Sequence, residues 1–235
     1  WGGDCSEDGK ITLTSGQNAT CTITNSDIAP TLKIVKEAIN DNGGTATIAD
    51  FGITLTDITL SFGGGSTVGK VTTYEANPTV VSNKEYTLAE TGATGYTQKS
   101  LVCLDGNTNV GSKFTLNPGQ SVICTIVNDD IAPKLTLNKI ISNTNGGNKA
   151  ESDWTLYAKQ GEVTALSGKG TEAENDVVSG DTFQAGTYTL SEEGPTGYTP
   201  SGWSCEGTGS LSGSNITLGV GQEAVCSITN SDNAA

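Results

Sequence analysis

Apolar and polar residues alternate along short stretches of the chain, with turn-forming residues between them. The side chains of a strand point alternately to its two faces, so every second residue lies on the same side. The inward-facing residues of three stretches are Leu32, Ile34 and Lys36; Tyr86, Leu88 and Glu90; and Cys124, Ile126 and Asn128. Gly, Asn and Ser are frequent between such stretches, where they favour tight turns. The pattern predicts an all-β chain of many short strands.

The same pattern returns along the chain at a fixed interval, so that equivalent residues are offset by 102 or 103 positions. The segment at 16–27, for example, recurs at 119–130 and at 221–232. The inward-facing residues of the second copy are Leu135, Leu137 and Lys139; Tyr188, Leu190 and Glu192; and Cys226, Ile228 and Asn230. We therefore predict two full units, residues 30–132 and 133–235.

Residues 1–29 match only the last third of a unit. A lone hairpin of this length has too little core to be stable by itself. We expect it to be the C-terminal hairpin of a partial repeat, completed by a neighbouring segment or by another subunit. The joints between units, residues 25–30 and 128–133, are short and end in proline, which stiffens a linker. Equal units on stiff joints predict a rod.

Six cysteines occur as three evenly placed pairs, each flanking one Gly-Gln turn. The predicted disulfides are Cys5–Cys21, Cys103–Cys124 and Cys205–Cys226. Each would fasten the two strands of one hairpin. The chain has no histidine and no Cys-x-x-Cys spacing, so we expect neither zinc nor an iron–sulfur cluster. Structural disulfides are typical of an oxidising compartment, which predicts an extracellular or cell-surface protein.

The charge balance excludes several functions. The net charge is −14, and all 12 basic residues are lysines. Nucleic-acid binding needs a basic surface, so it is excluded. Without histidine, arginine or an evident pair of carboxylates, we expect no enzymatic activity, no cofactor and no metal. No run of 18 apolar residues is present, so the chain is not expected to span a membrane.

Each predicted unit directs one Lys, one Glu and one Asn towards its apolar side. Burial of an unpaired charge is costly; it lowers the pKa of a lysine and raises that of a glutamate. A neutral amine could then attack the asparagine amide carbon while a protonated glutamate polarises the amide, leaving a Lys–Asn isopeptide bond and ammonia. Two alternatives stay open: a buried Lys–Glu ion pair, or a set at strand ends where Lys reaches solvent and Asn closes a turn.

A family resemblance rests on the order of these residues. Lys36 follows an apolar first strand, Tyr-Thr-Leu-Ala-Glu at 86–90 precedes Gly-Tyr at 95–96, and Asn128 closes the last strand. This order resembles the prealbumin-like (CnaB or SpaA-type) repeat domains of bacterial surface adhesins and pilins. The resemblance implies tandem Greek-key β-sandwiches of the transthyretin and immunoglobulin type. It also implies autocatalytic isopeptide sites, which would be Lys36, Glu90 and Asn128, and Lys139, Glu192 and Asn230.

The predicted function is that of an extracellular structural repeat protein forming a stalk, fibre or filament. Its partners would be copies of itself or adjacent repeats, joined end to end. The alternative is a ligand-binding adhesin, with variable loops at 53–82 and 156–184 on a rigid scaffold. The run Asn-Asp-Asn-Gly-Gly at 40–44 suggests Ca²⁺, but Asn-Gly is more typical of a hairpin turn, and the counterpart at 143–147 has lost the acidic residue.

Overall fold

The computed structural model describes residues 1–171 and 177–234. Residues 172–176, which belong to the predicted variable loop at 156–184, lie outside the described part, as does Ala235. Strands dominate the rest, and the all-β, disulfide-fastened sandwich prediction is confirmed.

Two short strands lie in the N-terminal segment. β1 (Gly2–Gly3) pairs antiparallel with β2 (Cys21–Thr22), and the Cys5–Cys21 disulfide lies beside this pairing. The segment therefore contains a small disulfide-closed loop but no second sheet layer among its described strands.

The first unit is a sandwich of a six-stranded sheet on a three-stranded one. Its strands are β3 (Thr31–Ile39), β4 (Thr54–Leu55), β5 (Ser66–Val68), β6 (Val71–Ala76), β7 (Glu85–Ala89), β8 (Tyr96–Asp105), β9 (Thr108–Asn109), β10 (Lys113–Thr115) and β11 (Ser121–Asp130). The large sheet has the order β5-β6-β3-β11-β8-β9 and the small sheet the order β10-β7-β4. A 3-10 turn at Ile48–Asp50 follows β3.

The second unit repeats this plan with the strands divided four and five. They are β12 (Lys134–Ser142), β13 (Thr155–Gln160), β14 (Val163–Lys169), β15 (Val177–Val178), β16 (Gly186–Glu193), β17 (Tyr198–Gly207), β18 (Ser210–Ser212), β19 (Asn215–Leu218) and β20 (Glu223–Asp232). The sheets have the orders β15-β12-β20-β17 and β14-β13-β16-β19-β18. A 3-10 turn at Glu151–Asp153 follows β12.

The units differ at one edge of the sandwich. In the first unit β6 pairs with β3, whereas in the second unit β14 pairs with β13 and leaves β12 beside the short β15. The strands that change partners, β6, β14 and β15, lie within 53–82 and 156–184, the stretches in which the two sequences differ most.

The first and last strands of each unit are parallel neighbours. β3 pairs with β11, so that Lys36 lies opposite Ile126 and Ala38 opposite Asn128. β12 pairs with β20 in the same way, with Lys139 opposite Ile228. The long connection needed between parallel strands holds the rest of the unit. Side chains more than ninety positions apart therefore become neighbours.

The alternating residues of these strands form the cores. Leu32, Ile34 and Ile126 are buried between the two sheets of the first unit, against Tyr86 and Leu88 of the small sheet. The second unit has an equivalent core. The predicted inward faces are thus the buried ones, because the pleat of each strand sends every second side chain to the core.

The disulfides of the two units cross neighbouring antiparallel strands of one sheet. Cys103 of β8 lies directly opposite Cys124 of β11, and Cys205 of β17 opposite Cys226 of β20. The expectation that each pair fastens one hairpin is wrong for these units. Between the two cysteines the chain crosses to the other sheet, through β10 in the first unit and β19 in the second.

The N-terminal segment exposes residues that are core residues elsewhere. Ile11, Leu13 and Ile23 are 39%, 52% and 56% exposed. Their counterparts in the first unit, all buried, are Phe114, Leu116 and Ile126. The segment therefore carries the apolar pattern of a unit without the layer that would cover it.

None of the helices in the described part of the chain is long and apolar enough to cross a membrane.

Candidate functional site

Lys36 is buried at the centre of the first unit. It is the third inward-facing residue of β3, and its side chain is fully shielded from solvent. Its Nζ donates hydrogen bonds to Oδ1 of Asn128 at 2.9 Å and to the backbone oxygen of Glu37 at 2.9 Å. Oε1 of Glu90 lies 3.6 Å from the same Nζ. The three predicted side chains meet at one point inside the protein.

Aromatic packing shields the amine of Lys36. The buried ring of Phe51, directly after the 3-10 turn, has its centroid 3.9 Å from Nζ. A capping arrangement between Thr47 and Asp50 fixes this turn. Burial lowers the pKa of Lys36 to about 8 and outweighs the opposing attraction of Glu90. The neutral, nucleophilic form of the amine is therefore far more populated near neutral pH than in an ordinary lysine.

Glu90 follows the last residue of β7 and keeps the alternation of that strand, with a side chain only 1% exposed. Its Oε2 accepts a hydrogen bond from Nε2 of Gln98 at 2.9 Å. Among the described residues, Oε1 of Glu90 and Nδ2 of Asn128 have no hydrogen-bond partner. Buried polar atoms are nearly always paired, so these two atoms mark a site with unused bonding capacity.

The second unit brings its three counterparts together with different contacts. Nζ of Lys139 lies 3.0 Å from Oε2 of Glu192. Nδ2 of Asn230 donates to Oε1 of the same glutamate at 2.7 Å. Glu192 thus bridges the amine and the amide. The ring of Trp154 replaces Phe51, with its centroid 5.2 Å from Nζ.

One difference lies in the support of the glutamate. Gln98 of the first unit corresponds to Pro200 of the second, which has no side-chain donor. Glu192 is accordingly 12% exposed, where Glu90 is almost completely buried.

The positions of the two lysines exclude one of the alternatives left open by the sequence, the set at strand ends. Lys36 and Lys139 do not reach solvent from strand ends, because both side chains are fully buried. A buried ion pair and the precursor of an isopeptide bond share the observed geometry. Each site contains a nucleophile, an electrophilic amide and a carboxyl group that contacts the amine.

Sequence reasoning missed the residues that complete each site. The aromatic residue is signalled by the repeated pair Asp50-Phe51 and Asp153-Trp154, which recurs at the fixed interval. Gln98 has no such signal, since it reaches Glu90 across the sandwich and has no equivalent in the second unit.

The comparison with protein families concerns the fold of the two units. The model of the prealbumin-like fold domain matches residues 27–126 and 130–228. The match covers well over half of the sequence, so the chain belongs to this family.

Several solved structures are similar to the chain, and each of the three described below matches 88% of its length. One is the major pilin protein T-13 of Streptococcus pyogenes, with 18% identity, 98% of that chain covered and a TM-score of 0.40. Another is the C-terminal fragment of the pilus adhesin SpaC from Lactobacillus rhamnosus GG, with 15% identity, 98% of that chain covered and a TM-score of 0.41. A third is the Bacillus anthracis TIE protein, with 14% identity, 34% covered and a TM-score of 0.43. No curated protein matches the chain.

Proposed function

We propose that this chain is an extracellular structural repeat protein of a surface stalk, fibre or filament. In each unit a Lys–Asn isopeptide bond would join the first strand to the last. The observation that carries the proposal is the parallel pairing of these two strands, with the buried lysine, glutamate and asparagine between them. The predicted boundaries, 1–29, 30–132 and 133–235, are part of the proposal.

The parallel arrangement determines how such a unit would bear tension. Force would enter at the start of β3 and leave at the end of β11, so it would shear these strands along each other. Individual ladder hydrogen bonds are weak against water, each contributing about 1 kcal/mol. A covalent bond between Lys36 and Asn128, 92 positions apart, would remove everything between them from the load path.

The proposed reaction in the first unit needs no co-reactant. The lone pair of neutral Nζ of Lys36 attacks the amide carbon of Asn128 and forms a C–N bond. Glu90 accepts the proton that the amine loses and delivers it to the departing Nδ2. The bond from the amide carbon to Nδ2 breaks, and ammonia leaves. Lys139, Glu192 and Asn230 would react in the same way.

This chemistry would occur once in each unit and would act on no outside substrate. We therefore expect a structural protein without enzymatic turnover, cofactor or metal. The disulfides support an oxidising, extracellular location. Family membership supports a role at a bacterial surface.

The N-terminal segment would take part in end-to-end assembly. Its exposed Ile11, Leu13 and Ile23 support completion by strands from a neighbouring segment or subunit. Such strands would cover the apolar face and place a lysine near Asn25, the counterpart of Asn128.

The adhesin alternative has less support from the first of its two predicted variable stretches. A shallow depression at the start of the stretch 53–82 is lined by Ile48, Ala49, Gly52, Ile53, Leu60 and Phe62. None of these side chains carries a charge or a hydrogen-bonding group, so the depression offers little to orient a polar ligand such as a glycan.

Stretching single molecules between their two ends tests the load-bearing role. We expect the residues between Lys36 and Asn128 to contribute no extension under force. This should hold in oxidised and in reduced protein alike, because the isopeptide bond would enclose the Cys103–Cys124 disulfide. The Lys36→Ala variant should show an added unfolding step. If the unaltered first unit unfolds between these residues at the same force as the Lys36→Ala variant, the proposal is contradicted.

A further inference from the structure

The two units are docked through a loop of the first unit. Asn42, in the loop after β3, is buried, and its Nδ2 donates to the backbone oxygens of Asp181 at 2.9 Å and Phe183 at 3.2 Å. In return, the backbone N–H of Ala185 donates to the backbone oxygen of Asn42 at 2.8 Å. One asparagine therefore binds three backbone groups of the second unit. The expectation of a hairpin turn at 40–44 is wrong, because the strands on either side of this loop, β3 and β4, lie in different sheets. The loop is an inter-unit contact.

A carboxylate from the last strand shapes this docking loop. Asp130 accepts hydrogen bonds from the backbone N–H groups of Asp41, Asn42 and Gly44, at 2.6–3.0 Å. Gly43 takes a φ of 88°, a conformation that favours glycine, and a Cβ there would lie 3.1 Å from the backbone nitrogen of Ala185. The loop is thus fixed before it meets its partner.

The same loop recurs at the far end of the second unit. Asp232 accepts hydrogen bonds from the backbone N–H groups of Thr144, Asn145 and Gly147, at 2.7–2.8 Å. Gly146 has a φ of 90°, against 88° for its counterpart in the first unit. Asn145 is exposed here, and its Nδ2 donates to the backbone oxygen of Asp232 at 2.8 Å. The docking loop is present and shaped, and no other unit in the described part of the chain lies on it.

The linker contacts beside the loop also repeat. The backbone N–H of Ile131 donates to the oxygen of Gly95 at 2.9 Å, and that of Asn233 to Gly197 at 3.0 Å. Gly221 of the second unit donates to the oxygen of Ile131 at 2.7 Å, which completes the joint. The far end of the second unit therefore repeats the contacts that the first unit contributes to the joint.

From these equivalences we infer that the loop at 143–147 is a docking surface for one further unit of this fold. Asn145 would turn from Asp232 to bind two backbone oxygens and one N–H in the loop that, in the incoming unit, corresponds to residues 179–185. The inference extends the proposed structural role, on which it rests for its biological sense, by naming the partner and its contact.

Charge also favours an incoming unit at this end. The first unit places the carboxylates of Asp41 and Asp129 beside the joint, near Asp181 of the partner loop. Their counterparts at the far end of the second unit are Thr144 and Ser231, and Lys99, which pairs with Asp129, is replaced by Ser201. Two carboxylates and one amine are therefore absent there, so an acidic loop would meet one net negative charge fewer than at the existing joint.

The test uses the full chain with one more unit. Residues 131–235 are appended after Asp232, so that the natural Ile-Ala-Pro linker leads into the added unit. Hydrogen exchange of the amide of the added copy of Ala185 is then measured. We expect protection, and about tenfold faster exchange in the Asn145→Ala variant, because that variant loses hydrogen bonds of the joint.

The matched control is Asn148→Ala, at an exposed position of the same loop, which should leave the exchange unchanged. Core amides of the added unit show that it is folded. An added Ala185 amide that exchanges equally fast with and without Asn145 would overturn the inference.

A second arm needs no added unit. In the chain as it stands, Asn42→Ala should speed exchange of the Ala185 amide by a similar factor, and full protection in that variant would refute the docking role of these asparagines. Neither arm measures the isopeptide bond, so this inference and the proposed cross-link can fail separately.

Discussion

The Nζ atom of Lys36 lies 2.9 Å from Oδ1 of Asn128, although the two residues are 92 positions apart. They lie on neighbouring parallel strands, at the beginning and the end of one unit. A bond between them would close almost the whole unit into a ring. Glu90 beside the same amine supplies a group that can carry the proton.

Replacement of Glu90 by glutamine should block the cross-link in the first unit. Glutamine keeps the shape but cannot accept and return a proton, and a positioned acid–base group is worth roughly 10²–10⁴-fold in rate. Intact mass after reduction should show one ammonia more than in the unaltered protein.

The control for this variant is Glu85→Gln on the same strand. Glu85 is exposed and pairs with Lys113. The Glu85→Gln variant should lose as much ammonia as the unaltered protein. The second unit of the Glu90→Gln variant should still lose its own ammonia. A Glu90→Gln protein that loses as much ammonia as the control would show that Glu90 has no part in the reaction.

The reaction in the first unit should depend on pH through Lys36. Burial lowers the pKa of this lysine to about 8 in the folded state, from an ordinary value of 10.5. The neutral amine fraction therefore grows as the pH rises to about 8 and changes little above it. Refolding at a series of pH values and following ammonia loss by mass should give a rate that levels off near pH 8. A rate that keeps rising through pH 10 would mean that the amine is solvated when it reacts.

The same pKa shift determines whether the free energy of unfolding of a unit without the cross-link rises or falls with pH. Because the folded pKa of Lys36 lies below the unfolded one, the unfolded state binds more protons between about 8 and 10.5. Loss of the Glu90 carboxylate removes an interaction that raises this pKa, so the folded pKa of Lys36 stays below the unfolded one in a Glu90→Gln chain. The free energy of unfolding of that chain should therefore rise as the pH rises towards about 10.5 and not fall. The further change Lys36→Met should remove the rise, measured by denaturant titration at several pH values.

Removal of the Cys103–Cys124 disulfide should destabilise the first unit by about 3 kcal/mol, as expected for closure of a loop with a sequence separation of 21. The double alanine variant is compared in a Glu90→Gln background, so that no second covalent bond holds the unit. Removal of Cys5 and Cys21 is the control, because the N-terminal loop closes outside this core. Equal losses from the two pairs in denaturant titration would contradict this assignment.

The joint between the units should tighten in mild acid. Partial burial, and then the neighbouring carboxylates of Asp130 and Asp129, raise the pKa of Asp41. Lys99 pairs with Asp129, and Asp181 lines the same cleft from the second unit. Asp181 of the second unit lines the same cleft as Asp41, so protonation of Asp41 removes a repulsion that is present only when the units are docked. Protection of the Ala185 amide should therefore grow as the pH falls from neutral.

The variant Asp41→Asn should already show the acid level of protection at neutral pH. Thr144→Val, at the equivalent position of the free loop, serves as its control. Protection that falls in acid in both chains would indicate that Asp41 does not oppose docking.

The sequence predicts the inward faces well, and with them the burial of Lys36, Glu90 and Asn128. Strand alternation is a local property, so it can be followed residue by residue. It does not say which strands are neighbours, and the parallel pairing of β3 with β11 becomes visible only in the fold. The supposed hairpins failed for the same reason.

Contacts between distant segments explain the other omissions. Gln98 supports Glu90 from another strand, and Asn42 binds the second unit. A single Asn-Gly pair favours a turn in isolation, and nothing in its local sequence signals that the turn will be buried under a neighbouring unit.

The central claim is a covalent bond between the first and last strands of each unit, and the intact mass of the fully reduced, denatured chain tests it most directly. The account predicts a mass lower than that of the sequence by two ammonia molecules, one from Lys36 and Asn128 and one from Lys139 and Asn230. Fragmentation should then recover each pair as a branched peptide. A mass equal to that of the unmodified sequence would contradict the account and leave two buried ion pairs in place of the bonds.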